Sequence, residues 1–328
     1  MKRSDDMPKY IAKRICLMFV SFFVIMTIYF VLVRLLPNPN VEVQGGYAQQ
    51  VAEMREAWGY NKPIMVQYGI FLKRVFTEFN WGVTTAIAPK YTSVISIIGQ
   101  KLPATLLVNI LSLVVSIPLG ILFGIYAALK KNKWQDQVIS VVIMLLISVP
   151  SYVYAFLVQY FLGFKLGWFP IVMKSGTDWL SPAMIKSVIL PALSLSFGTM
   201  AGLMRYTRAE LTETLTSEYM LLARTKGLTG AQATMRHALR NAMVPILPMI
   251  LGEIIGILGG AMIIEQIFAI PGVGKLFVIS ITVRDYDMFL AIGMFYTFIG
   301  LAAGILTDIS YGFIDPRIRM GGGKNNEN

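Results

Sequence analysis

Six long runs without a charged residue set the terms for this chain. Residues 15–33, 102–129, 137–164, 187–204 and 288–307 contain no Lys, Arg, Asp or Glu, and 241–264 is interrupted only by Glu253. Each run is close to the ~20 residues that a helix needs to cross the hydrocarbon of a bilayer. Six such runs in one chain argue against buried helices of a soluble domain. The expected fold is therefore all-α and integral to the membrane, with six transmembrane helices. Only 14% of the residues are charged, where soluble domains have roughly a quarter.

The net charge of +11 is compatible with nucleic acid, but the basic residues are scattered between the apolar runs. Topology explains them better, and no nucleic-acid partner is expected. With the N-terminus in the cytoplasm, the inner segments 1–14, 130–136, 205–240 and 308–328 hold 17 Lys and Arg. The short outer loops 165–186 and 265–287 hold 5. This is the bias of the positive-inside rule, and it predicts that both termini are cytoplasmic. The first run follows Lys2, Arg3, Lys9, Lys13 and Arg14, as a signal peptide would. It has full spanning length, however, and only Leu35-Leu36-Pro37 stands where a small-x-small cleavage site belongs. The expected order is a cytoplasmic start (1–14), a retained first span (15–36), an outer loop (37–101), the main transmembrane domain (102–320) and a disordered tail (321–328). In the outer loop, 51–58 and 66–76 have helical apolar spacing around a Gly59-Tyr60-Asn61-Lys62-Pro63 turn, which predicts a small helical cap.

One stretch does not read as a span. Thr216 to Pro245 is basic and partly amphipathic, and it sits between apolar runs. Ser217 can accept from the free N–H groups of a helix start, and Glu218 suits the positive end of the dipole. Tyr219, Leu222 and Ala223 give an apolar face at i, i+3 and i+4. Arg224 and Lys226 fall where the dipole favours cations, and Gly227 can end the helix in a left-handed conformation. Thr229 to Gln232 forms a capping box that opens a second helix, which Leu239, Asn241 and Pro245 carry on. A charged helix–turn–helix at a membrane surface is suited to docking another protein.

Catalytic chemistry finds no support. Pro271-Gly-Val-Gly-Lys275 resembles part of a phosphate loop, but Ala269 and Leu276 stand where the first glycine and the hydroxyl are required. There is no Gly-x-Ser-x-Gly and no His-Glu-x-x-His. The single histidine, His237, has no obvious carboxylate or nucleophile partner and reads as a surface contact. One cysteine, Cys16, forms no internal disulfide. No metal, cofactor or enzymatic activity of its own is expected. Glu253 stands out as an ionisable group within a span: it faces a watery passage, pairs with a neighbouring helix, or relays protons or cations. Glu265 is expected to meet backbone or solvent near the Pro271-Gly272 turn. Gly120 and Gly124, and Gly252, Gly256 and Gly260, recur at spacings of four; this fits packing within the chain or a seam with a second subunit.

Taken together, Tyr219-x3-Ala223-Arg224-x-Lys226-Gly227-Leu228-x8-His237-Ala-Leu-Arg240-Asn241-Ala resembles the cytoplasmic loop of ABC-importer permeases of the dipeptide/oligopeptide/nickel branch. Further matching stretches are Leu-Pro103-Ala-Thr105, Leu190-Pro191-Ala192-Leu193 and Arg205-Tyr-Thr-Arg208. So are Gly259-Gly260-Ala-x3-Glu265-x2-Phe268-x2-Pro271-Gly272-x-Gly274, Arg284-Asp285-Tyr286 and the closing Asp315-Pro316-Arg317-Ile318-Arg319. The long outer loop with its Gly-x-x-Lys-Pro turn is similar to the first of the two permeases in a peptide system. Two departures stand out. The chain has Leu36-Pro37-Asn38-Pro39 where peptide permeases have Leu-Pro-Gly-Asp-Pro, and Leu221-Leu222-Ala223 where the general signature has Glu-Ala-Ala.

The resemblance implies a type I importer fold and four partners besides the lipid: a second, homologous permease, two ATP-binding subunits and an extracytoplasmic substrate-binding protein. It implies that residues 207–241 couple to an ATPase through Glu218, Tyr219, Ala223, Arg224, Lys226, Gly227, Leu228, His237, Arg240 and Asn241. It makes Pro103, Pro191, Gly252, Glu253, Gly256, Gly260, Glu265, Pro271, Gly272 and Gly274 structural or gate candidates. Peptide is the favoured cargo, with nickel or glutathione as alternatives. An ion-coupled carrier acting alone through Glu253 is the rival of a different class, and it predicts inverted repeats and broken mid-membrane helices.

Overall fold

Prolines and glycines decide where the helices of this chain bend and stop. A computed structural model describes residues 6–36 and 48–314. The Asn38-Pro39 corner, the closing Asp315–Arg319 motif and the expected tail over 321–328 lie outside the described residues. The described helices are α1 (Asp6–Leu35), α2 (Ala48–Ala57), α3 (Ile64–Glu78), α4 (Val94–Leu129), α5 (Trp134–Ser148) and α6 (Ser151–Val158). They continue with α7 (Pro182–Leu215), α8 (Glu218–Thr225), α9 (Gly230–Ala233), α10 (Leu239–Gly256), α11 (Met262–Ile267), α12 (Val273–Thr282) and α13 (Tyr286–Ile314).

Among the described residues five helices are long and apolar enough to cross a membrane, Ile11–Leu35, Val94–Leu129, Pro182–Leu215, Gly230–Gly259 and Tyr286–Ser310, and a bent pair makes six if it counts as one span. The expected third span, 137–164, is broken instead. Trp134–Ser148 and Ser151–Lys165 meet at 100°. The ring of Pro150 disfavours a helical conformation at the residue before it, and Val149 is extended, with φ −97° and ψ 126°. The fifth apolar run also ends early. α10 stops at Gly256, a 3-10 turn continues over Ile257–Gly259, and Gly260 takes φ +63°. Gly260 thus makes a left-handed turn and does not extend the Gly252–Gly256 stripe of one helix. α4 begins eight residues before its apolar run, so Pro103 lies inside the helix and does not open it.

The chain divides into two units. The first contains residues up to Thr105 together with Gly259–Met262 and Pro271–Ala302. Its helix α13 serves two apolar clusters. Leu290 and Met294 pack with Met26, Phe30 and Val33 of α1 and with Phe71 and Val75 of α3. Met288, Ala291 and Ile292 pack with Val94, Ile97 and Ile98 of α4 and with Val273 and Leu276 of α12. The Gly59 turn, at φ +71°, joins α2 to α3 and is tied down by Gln67, whose Nε2 donates to Lys62 O at 2.8 Å. The Arg74 guanidinium stacks 3.8 Å from the Trp58 ring centre, and burial lowers its pKa from the usual arginine value. Burial, and then the charge of Asp287, push the Tyr60 phenol up to about 12. Asp285 is fully buried and starts α13. One of its oxygens accepts from the N–H groups of Thr85, Ala86 and Ile87 at 2.9, 2.9 and 3.1 Å; the other accepts from Met288 N–H at 3.4 Å.

The second unit contains Leu106–Leu258, Ile263–Ile270 and the residues from Ala303 onwards. Here α7 is the centre, with α5, α6 and α10 packed against it. Gly120 and Gly124 of α4 also lie on it. A Cβ on Gly120 would come 2.7 Å from Leu203 Cβ, and one on Gly124 2.6 Å from Thr207 Cβ. These two glycines therefore close a seam within the chain. Asn109 of α4 donates its Nδ2 to Ile257 O at 2.8 Å, which satisfies a carbonyl at the break after α10. Pro191 is buried in the interior of α7.

Candidate functional site

The Thr216–Pro245 segment forms a short helix fastened at its end and at the turn behind it. After α7 ends, Ser217 stands at the start of α8 in extended backbone, but its hydroxyl donates back to Thr214 O at 2.6 Å. No helix N–H reaches that hydroxyl, so the side-chain cap that the sequence pattern predicts is not formed. The other end is a complete Schellman motif. Gly227 has φ +88°, its N–H donates to Arg224 O at 3.0 Å, and Leu228 N–H donates to Ala223 O at 3.3 Å. The associated apolar contact is present too, because Leu228 packs on the cluster that holds Met220 and Ala223. Two residues later the capping box closes as predicted: Gln232 N–H donates to Thr229 Oγ1 at 3.3 Å, and Thr229 N–H donates to Gln232 Oε1 at 3.1 Å. The helix that this box opens is continuous with the fifth span. α9, a π-helical turn over Thr234–Ala238 and α10 run on as the single span Gly230–Gly259.

The seat of α8 is lined with alanine, so the backbones approach closely. Met220 and Ala223 press against Leu211 of α7, Ala128 of α4, and Ala233, Ala238 and Ala242. The buried stripe is therefore 220/223, not the 219/222/223 face read from spacing. In a helix of two turns the apolar residues run almost continuously, so their period does not fix which face is buried. Only Ala223 belongs to both sets. Tyr219 and Leu222 are exposed, as are Leu221 and Met235 at 67% and 65%. Glu218, Arg224, Lys226, His237, Arg240 and Asn241 are also exposed, and Leu228 is half-buried. The outer surface thus offers apolar side chains among basic ones on a backbone held from behind. An arrangement of this kind can bind a protein surface and transmit a push.

One supporting pair had no clear signal in the sequence. Asp136, in the first turn of α5, is 2% exposed and receives both Nε and Nη2 of Arg208 from α7, the latter at 2.8 Å. Its Oδ2 also accepts from Asn132 N–H at 3.0 Å, in a turn where Asn132 has φ +64°. Arg208 belongs to a recognised motif, but nothing in its spacing names a partner 72 residues away.

The remaining candidates scatter. Thr105, the last residue of the Pro103 motif, accepts Val273 N–H at 2.9 Å and so supplies the cap that Gly272 lacks at the start of α12. This brings the Pro103 and Pro271-Gly272-x-Gly274 motifs together. Glu265 is 2% exposed, which excludes solvent from the two partners expected for it. Gly252 lies 3.5 Å, at its notional Cβ, from Thr307 Oγ1, whereas Gly256 faces open space. Glu253 accepts from the Thr199 hydroxyl at 3.3 Å and lines a cavity of about 360 Å³. Among the described residues no group of three or more His, Cys, Asp or Glu could hold a metal ion.

Residues 120–320 match the family described as binding-protein-dependent transport system inner membrane component, and residues 7–109 match its N-terminal counterpart. The chain belongs to this family. Among proteins similar to it is the dipeptide transport system permease protein DppB of Lactococcus lactis, 35% identical over 314 residues that span 96% of this chain and 100% of that one. The protein of the same description from Bacillus subtilis is 33% identical over 315 residues, 96% and 99% of the two chains. A putative peptide transport system permease protein of Brucella abortus is 33% identical over 322 residues, 95% and 99% of the two chains. The fold of this family member also matches an amino acid ABC transporter, solved with histidines. The TM-score is 0.50 at 20% identity, covering 67% of this chain and 94% of that one. The segment from Glu218 to Asn241 and the Asp136–Arg208 pair both fall within residues 120–320.

Proposed function

We propose that this permease-family chain forms half of the membrane passage of an ABC importer for peptides and takes its drive from ATP-binding partners through α8. The end-to-end similarity to dipeptide permeases carries the choice of cargo. The construction of α8 supports the drive. A lever must be stiff, and this one has an alanine-lined seat, a Schellman end and a capping box directly behind it. In this account α8 and both termini face the cytoplasm, consistent with 17 basic residues on the inner segments against 5 on the short outer loops. A second, homologous permease completes the passage, and a binding protein delivers cargo from outside. ATP hydrolysis belongs to the partners.

A lone ion-coupled carrier would also have broken spans, and the α5–α6 break and the turn after α10 are of that kind. Membership of a multi-component transport family decides against it. The test is uptake of labelled dialanine by proteoliposomes holding both permeases, the ATPases and the binding protein. ATP-dependent uptake is expected. Uptake by this chain alone, driven by an ion gradient, would overturn the proposal.

A further inference from the structure

The cavity beside Glu253 is lined by Ser151 of α6, Leu195, Gly198, Thr199, Gly202 and Leu203 of α7, and Met249 and Glu253 of α10. Its volume of about 360 Å³ is within the range of small-molecule sites. Glycines keep it open. A Cβ on Gly198 or Gly202 would meet nothing within 4 Å, whereas one on Gly120 or Gly124 would collide with α7. So α7 carries close packing on one side and leaves free space on another. The depth is also informative. Thr199 and Glu253 each lie twelve residues into their apolar runs, about 18 Å along the helix axis. This places both well within a hydrocarbon layer of about 30 Å. A carboxylate at that depth is costly and marks a pathway by default. Glu253 has the Thr199 hydroxyl as a partner but forms no ion pair among the described residues.

We propose that Glu253, with Thr199 beside it, holds the primary ammonium group of a peptide during its passage. The proposal rests on the peptide-import function above and deepens it. The lining favours an ammonium on an organic stem over a bare cation. A hard metal ion takes about six oxygen ligands, and this cavity combines one carboxylate with two hydroxyl-bearing residues and the apolar side chains of Leu195, Leu203 and Met249. An ammonium needs only a few acceptors and leaves its carbon stem to the apolar wall. A proton relay needs a chain of titratable groups, and among the described residues Glu253 is the only one lining the cavity.

The test uses the complete importer in proteoliposomes, with labelled dialanine already bound to the binding protein and ATP inside. Glu253→Gln keeps the shape and removes the charge. Uptake is expected to fall about ten- to a hundredfold, the value of a lost hydrogen bond to a charged group. Glu253→Asp is expected to restore part of it. Gly202→Leu fills the cavity from α7 and keeps the Glu253 side chain itself, and is expected to cause a similar loss in a complex that still assembles. Wild-type uptake by both Glu253→Gln and Gly202→Leu would overturn the proposal. So would arrest of wild-type uptake by a protonophore while ATP is present, since Glu253 would then be relaying protons. Failure of the wild-type importer itself to move dialanine would instead sink the peptide function, and this proposal with it.

Discussion

Gly227 shows how much can rest on one residue. Its backbone lies at φ +88°, and a Cβ there would meet nothing within 4 Å, so only the conformation and not the space demands glycine. Replacement by valine costs about 1–2 kcal/mol at the end of α8, because a side chain in the left-handed region crowds the next carbonyl. Gly227→Val is predicted to leave membrane insertion intact and to abolish ATP-dependent uptake. Wild-type transport by that variant would exclude the stiff-lever account. The glycine, the capping box and the basic Arg224 and Lys226 at the end of α8 are all legible in the sequence, since each rests on local backbone chemistry. Ser217 was not. Its hydroxyl donates to the carbonyl of Thr214 and gives α8 no side-chain cap. Asp136 was equally opaque, because a long-range ion pair leaves no local pattern.

At the scale of elements, periodicity located the helices better than it bounded them. The runs 51–58 and 66–76 correspond to α2 and α3, yet the run 137–164 hid a bend of 100° at Pro150. Uniformly apolar stretches have no period that could betray such a break, and other prolines, Pro191 among them, sit inside continuous helices. Spacing of four also failed to separate glycines with different tasks. Gly120 and Gly124 admit α7, Gly256 faces open space, and Gly260 turns the chain. This contrast is testable in detergent. Gly124→Leu is predicted to lower the melting temperature of the purified permease by several degrees, because α4 would be forced off α7; overpacking of this kind costs about 1–3 kcal/mol. Gly256→Ala is predicted to leave the melting temperature unchanged. Equal effects would show that α4 does not pack on α7 through this seam.

For the whole molecule, the apolar runs announced a membrane protein and the motifs announced its family, because both are written in contiguous residues. Cargo and rotation of the spans about their axes were not legible, since a helix apolar on all sides does not declare which face lines a passage. The structure narrows this by showing where glycines leave room around Glu253. Under the proposed function, the chain has no engine of its own and is moved through the exposed face of α8. Leu222, 55% exposed on that face, is the place to test it. A Leu222→Cys variant in a Cys16→Ser background has a single thiol, which can carry a photo-activated cross-linker in the assembled importer. An adduct with an ATP-binding subunit is predicted, both with and without nucleotide. A label that reaches only lipid or water in every nucleotide state would contradict the account.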